Sequence, residues 1–468
     1  MSKSISDYNS KFILQLVCLL IYLLLGILFL FDFKSLNHFF IYMCIHLVVS
    51  LILLKTLDLR LFSFPVVFFC LSIVFHLGHL ILTFFNSSVN MAFAPLLYAN
   101  GIYTFQALTI TLEVHYFLVL GFIIYKKIFS KNKEQTNYLL NSNTSTINEL
   151  SFKYVCIVLF ILSFLPFMVI NVYKLYLYSH GGYLNTYLNL SGLSLFYNVF
   201  LLVSTIGFML LNKHNRKSKI LLLVSIMYNV IFMFSGNRIT FVINIICYLF
   251  VYLYMSKKKI NLLWVLLLIP ILNLIVYVGL NRSVNISFVG FLSNLFSLNF
   301  FEEILGEFGG TLINIPKAIE TFPNIEDYGY GRTYLYSFAY IMPKIQTLFP
   351  SIEQYTTYVY LFPSHSSLGG SYIGELYYNF GSFAPLFAIF IGIALVYVQD
   401  KFEYSIKSNN YLTTILLFSI VTFLIGWIRG YFVNIVRIIL WGNVFICLLY
   451  KFFSRITSAS KSTDSNPK

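Results

Sequence analysis

Apolar residues in this chain come in long unbroken runs, not in the 3.6-residue stripe of a soluble helix or the alternation of a half-buried strand. Runs of helix length fall near residues 12–31, 36–54, 61–85, 102–125, 154–174, 195–212, 220–235, 238–255, 260–280, 385–399, 411–428 and 432–450. The polar stretches between them are short, except that residues 281–384 separate the ninth run from the tenth. The pattern predicts an all-α polytopic membrane protein of about 12 transmembrane helices. Nine spans occupy residues 1–280, a large extracytoplasmic loop with short helices covers 281–384, three spans follow over 385–450, and a cytoplasmic tail takes 451–468. The first run, Phe12 to Phe31, has no small-residue cleavage site behind it and reads as a retained signal-anchor helix.

Charge sets the orientation. With the N-terminus inside, lysine divides 19 inside to 4 outside, whereas arginine divides 3 inside to 5 outside. Lysine therefore follows the positive-inside bias and arginine departs from it. Arg238, Arg282, Arg332, Arg429 and Arg437 gain nothing from that bias and each costs about 2.5–3.5 kcal/mol at bilayer depth, so a shared anionic ligand is the economical explanation. Arg437 has an alternative role, since it lies about 12 Å further along its helix than Arg429 and is available to neutralise Glu113 within the bundle.

Composition narrows the function classes. A chain 59% hydrophobic and 10% charged is a membrane protein, and its net charge of +14 is spread over short loops, where topology requires it, so nucleic acid is not a partner. All six cysteines lie in apolar runs without C-x-x-C spacing, which argues against disulfides and zinc. The 19% aromatic content accompanies abundant Ile, Asn and Lys and reads largely as the codon bias of an AT-rich genome. His76 and His79, one turn apart on the third span, lack a third ligand and read as interhelical hydrogen-bond formers. Glu113 and His115 are ionisable groups in or near the fourth span.

Two hairpins have almost no outer loop. Phe234–Arg238 joins the seventh and eighth runs, Trp427–Tyr431 joins the last two, and each sets an arginine beside a glycine. A glycine admits close approach, and the helix that follows offers free N–H groups and the positive end of its dipole, which together suit an anion. The alternative is an arginine snorkelling to the headgroups. The long connection is too large for a linker, so part of it folds as a helical cap. It contains the turn-rich stretch Tyr328–Tyr334 and the segment Pro363–Gly381, where Tyr372, Glu375 and Asn379 share one helix face at i, i+3 and i+7. A polar, aromatic face of that kind suits sugar rings or, equally, the packing of an interfacial helix.

In this order and membrane position the motifs resemble the Wzy-type oligosaccharide repeat-unit polymerases of O-antigen, capsule and enterobacterial common antigen assembly. The residues that carry the resemblance are Tyr178-Ser179-His180-Gly181-Gly182-Tyr183, Ser235-Gly236-Asn237-Arg238, Gly331-Arg332, Pro343, His365-Ser366, Gly374-Glu375, Asn379-Phe380-Gly381 and Arg429-Gly430. The resemblance implies a GT-C-like helical fold in the bacterial cytoplasmic (inner) membrane, with an active site facing the periplasm or exterior. It implies a metal-independent glycosyltransferase, needing no cofactor, in lipopolysaccharide and related surface polysaccharide biosynthesis. Donor and acceptor are then oligosaccharides on undecaprenyl diphosphate in the membrane, and a chain-length regulator is a candidate partner.

That chemistry needs a charge-stabilised leaving group and a base for the acceptor hydroxyl. Arginine, always charged and able to fork onto phosphate oxygens, suits the first task, in the order Arg238, Arg429, Arg282, Arg332. His365 and Glu375 are the outer-side candidates for the base, with turn ordering and arginine pairing as their respective alternatives. Tyr178, His180 and Tyr183, on a short outer loop after the fifth span, join Tyr372 and Asn379 as candidate glycan contacts. A lipid-linked oligosaccharide flippase and an O-antigen-type ligase remain rival functions. The uninterrupted long loop and the lack of an internal repeat favour the polymerase over the flippase.

Overall fold

The computed structural model describes residues 2–28, 35–60, 62–85, 101–129, 145–181, 193–212, 216–233, 238–256, 273, 277, 300–342, 345–363 and 368–464. Among the described residues all regular structure is helical. The first four helices are α1 (Ser2–Leu28), α2 (Leu36–Thr56), α3 (Phe64–Phe84) and α4 (Gly101–Ile124, extended by a π turn Tyr125–Phe129). Then come α5 (Ser145–Gly181), α6 (Leu193–Leu211), α7 (Arg216–Met233) and α8 (Arg238–Ser256). The long connection folds into short pieces: α9 (Phe300–Phe308), α10 (Asn314–Thr321), α11 (Arg332–Ala339), α12 (Ile345–Leu348) and α13 (Ile352–Thr356). It ends in α14 (Tyr372–Phe380), which passes through a 3-10 turn into α15 (Ala384–Lys407), and α16 (Tyr411–Trp427), α17 (Phe432–Arg437) and α18 (Val444–Asp464) complete the chain.

Among the described residues, six helical stretches are long and apolar enough to cross a membrane: Leu36–Thr56, Phe64–Phe84, Gly101–Phe129, Glu149–Leu177, Tyr372–Lys407 and Phe432–Ser458. Phe12–Leu28, Tyr197–Leu211, Val242–Tyr252 and Tyr411–Trp427 are apolar but shorter. α16, at 17 residues, stops short of the roughly 20 that cross a bilayer core. Of the run near 260–280 only residues 273 and 277 are among the described residues. The helix expected at 385–399 is continuous with α14, so the connection ends in a helix that leads directly into a span.

Two compact units make up the chain. One comprises 1–139, 302–400 and 427–434, and the other comprises 140–301, 401–426 and 435–468. In the first, the cap packs backbone to backbone on the membrane helices: a Cβ on Gly78 of α3 would meet Leu305 O at 2.8 Å and Gly309 Cα at 3.1 Å. His79 Nε2 hydrogen-bonds to Gly306 O at 2.9 Å, so this histidine does link elements as its position on α3 suggests. α4 and α15 cross where Gly121 faces Gly392, the small-residue contact that lets membrane helices approach closely. The second unit is tied by intramembrane hydrogen bonds, among them Ser151 to Thr457 at 2.8 Å, Tyr228 to Tyr248 at 2.6 Å and Ser419 Oγ donating to Asn443 Oδ1 at 2.6 Å. Bonds of this kind satisfy polar groups that lipid cannot.

Candidate functional site

The candidate site in the first unit is organised by α14. Ser371 caps the helix, with extended backbone and its hydroxyl accepting from Gly374 N–H at 3.4 Å. The helix then presents Tyr372, Glu375 and Asn379 on one side, as their spacing requires, and all three are buried. Each meets a different partner. Tyr372 Oη lies 2.9 Å from Ser72 Oγ, in a cluster where Ser72 also bonds His115 at 2.7 Å and His76 at 3.3 Å. His76 Nε2 lies 2.8 Å from Ser371 Oγ, so a histidine of α3 holds the helix cap itself. Asn379 donates to Thr333 Oγ1 at 2.7 Å and accepts from Thr333 N–H at 3.3 Å, docking α11. The turn before α11 is docked too, with Gly329 N–H donating to Tyr378 O at 2.8 Å.

Glu375 secures the turn that carries Arg429. Its Oε2 accepts from the Trp427 indole N–H at 2.6 Å and from Phe432 N–H at 3.1 Å, which brackets Ile428–Tyr431 between two bonds to one oxygen. Oε1 makes no hydrogen bond. The N–H groups at the start of α17, expected to be free for an anion, are therefore partly taken by the protein's own carboxylate. Arg429, within the turn, is half-buried.

The turn is seated on Gly369 and Gly370. A Cβ at Gly370 would collide with Gly430 O and the Tyr431 ring, whereas one at Gly369 would touch Arg429 Cγ and Nε at an ordinary 3.6 Å. Tyr358 backs the same strand of chain, its hydroxyl donating to Ser371 O at 3.2 Å. Burial holds that phenol well above its ordinary range, so it stays a neutral donor. A contrast follows: Gly370→Ala lowers stability by about 1–3 kcal/mol through overpacking, while Gly369→Ala leaves it within ~0.5 kcal/mol. Thermal unfolding of the two purified variants in one detergent checks the difference.

The other expected site residues are distributed as follows. Arg332 opens α11, is exposed, and stands 5.6 Å from the Tyr355 ring centroid in cation–π contact. Arg238 is the first residue of α8 and belongs to the second unit. Arg282, His365 and Tyr183 lie outside the described residues. Tyr178 and His180 are not in a loop: α5 continues to Gly181, because no helix breaker lies between Pro166 and Gly181-Gly182, and they occupy its last turns. His180 is exposed, with Nδ1 2.9 Å from Tyr176 O. Tyr372 and Asn379, expected to face sugar, have their polar side-chain atoms engaged within the protein. Glu375, a candidate base that would need burial to suit that role, is fully buried. Arg437 and Glu113 fall in different units.

Sequence reading passed over Trp427, Ser371, Thr333 and Ser72 as partners, whereas His76, expected to hydrogen-bond between helices, does so. One signal was available: a serine immediately before a helical run is a preferred N-cap. Trp427, two residues before Arg429, carried no signal of its partner.

The model of one protein family, described as O-antigen polysaccharide polymerase Wzy, matches residues 12–461. No curated protein and no solved structure matches the chain.

Proposed function

The chain belongs to the O-antigen polysaccharide polymerase Wzy family, and on that premise we propose that it lengthens a surface polysaccharide by joining repeat units carried on undecaprenyl diphosphate. In this reading the acceptor unit's hydroxyl oxygen attacks the anomeric carbon of the donor glycan. The bond from that carbon to the diphosphate breaks, the acceptor's proton passes to a base, and undecaprenyl diphosphate leaves. The reaction takes place at the outer face of the bacterial cytoplasmic membrane, on a GT-C-like helical scaffold.

The observation that carries the proposal is the Arg429 turn, clamped by Glu375 through Trp427 and Phe432 and seated on Gly369–Gly370. An arginine held in place by its surroundings stabilises developing diphosphate charge with little reorganisation. Arg429 is the principal diphosphate ligand, with Arg332 of the same unit as a further cationic contact that takes the part a divalent cation plays in other glycosyl transfers. His365, just ahead of Gly369–Gly370 in the chain, is the base. Glu375, fully buried, is a positioning residue that acts through Arg429. Tyr178, His180 and Tyr183 are glycan contacts.

Purified protein in proteoliposomes, supplied only with lipid-linked repeat units, is expected to produce a ladder of lengthened glycans. Units moved across the bilayer without lengthening would identify a flippase. Transfer seen only after a second kind of acceptor is added would identify a ligase.

A further inference from the structure

A helix on the surface of a water-soluble domain turns its polar side out and its apolar side in. α11 does the reverse. Thr333 and Ser337 are fully buried and hydrogen-bonded, Thr333 to Asn379 and Ser337 to Thr333 O, while Leu335, Tyr336 and Phe338 are exposed, Leu335 by 71%. Met342, Leu348 and Phe349, next along the cap, are exposed as well. Large apolar side chains grouped on one connected segment mark an interaction surface.

The neighbouring span indicates what covers it. Tyr334 of α11 stacks on Phe380 (centroids 5.9 Å apart, planes at 13°), and Phe380 stacks on Phe387 of α15 (3.6 Å, 5°). On α15, Phe383 just before the helix and Leu386 and Phe390 within it are exposed, on a stretch long and apolar enough to cross the membrane. The apolar side of α11 thus adjoins the lipid-facing side of a span at its N-terminal end. The tyrosines of α11 suit the interfacial zone.

We propose that α11 and the segment through Phe349 lie in the bilayer interface, with their apolar side chains among phospholipid acyl chains. The cap is then a membrane-seated shelf beside the Arg429 turn, an arrangement that does not depend on which lipid-linked reaction the site performs.

The test is photocrosslinking. The full chain, with p-benzoylphenylalanine in place of Phe338, of Phe349 or of the exposed Asp327, is reconstituted in nanodiscs of phosphatidylethanolamine and phosphatidylglycerol without any lipid-linked glycan. Irradiation is expected to shift the mass of the first two proteins by one phospholipid and to leave the Asp327 control unshifted. Adducts to a second copy of the chain would make the surface a self-association face, and no lipid adduct above the control would make it a solvated one. Either outcome overturns the proposal. Two positions are used so that poor folding at one does not decide the result.

Discussion

Arg429→Ala leaves the protein in the membrane and reduces polymer formation by about 10²–10³-fold, the effect of removing one preorganised charge-stabilising group from a low-dielectric site, about 2.7–4 kcal/mol. The fold tolerates the change because Arg429 is half-buried in a turn that is held by other groups: the Glu375 bonds to Trp427 and Phe432, and the seat on Gly370. Arg429→Lys keeps the charge but loses the planar fork, so it falls between wild type and alanine. The measurements are initial rates in proteoliposomes and ladder lengths in cells, with protein abundance in the membrane as the control. Wild-type ladder lengths from Arg429→Ala, at normal abundance, would sink the diphosphate assignment.

Glu375→Ala has the other large effect, and it is on stability as well as activity. It orphans the buried Trp427 indole N–H and the Phe432 N–H, at about 1–3 kcal/mol each, so the variant unfolds at a lower temperature and makes no polymer. Glu375→Gln separates the possible roles. Both donors use the same oxygen, Oε2, and a glutamine amide oxygen in that place keeps both bonds. A positioning residue therefore predicts that glutamine retains the fold and much of the rate. A general base predicts that glutamine is as inactive as alanine while remaining folded, since an amide cannot take the proton. Thermal unfolding and initial rates measured on the same preparations distinguish the two.

Much of the helical layout was legible in the runs, because burial in lipid and burial in protein both demand apolar side chains and a helix satisfies its own backbone. The shared face of Tyr372, Glu375 and Asn379 was legible for a similar reason, being a consequence of helical spacing alone. Where the face points was not. An i, i+3, i+7 pattern is the same whether the side chains meet a sugar or a neighbouring helix, and here the partners are Ser72, Trp427 and Thr333, each distant in sequence. The anion site expected at the start of α17 is narrowed on the same ground: a free helix N-terminus is a local feature, but Glu375, 57 residues away in sequence, reaches one of its N–H groups. The end of α5 was misjudged because polar and aromatic residues look like a loop even where helix propensity carries the chain on to Gly181.

By itself the sequence determined the class of molecule: a basic, helical, multi-span membrane chain, with arginines distributed against the lysine bias and motifs sufficient to suggest its family. Hydrophobicity and helical period are properties of single segments, and those properties were read correctly. The tertiary structure alone decided which polar groups remain available. It placed the Glu375 carboxylate on the Arg429 turn, closed the space between Gly370 and Gly430, and turned the apolar side of α11 outward. Each depends on which distant residue comes to lie opposite, and a buried polar group is satisfied by whatever donor or acceptor packing brings to it.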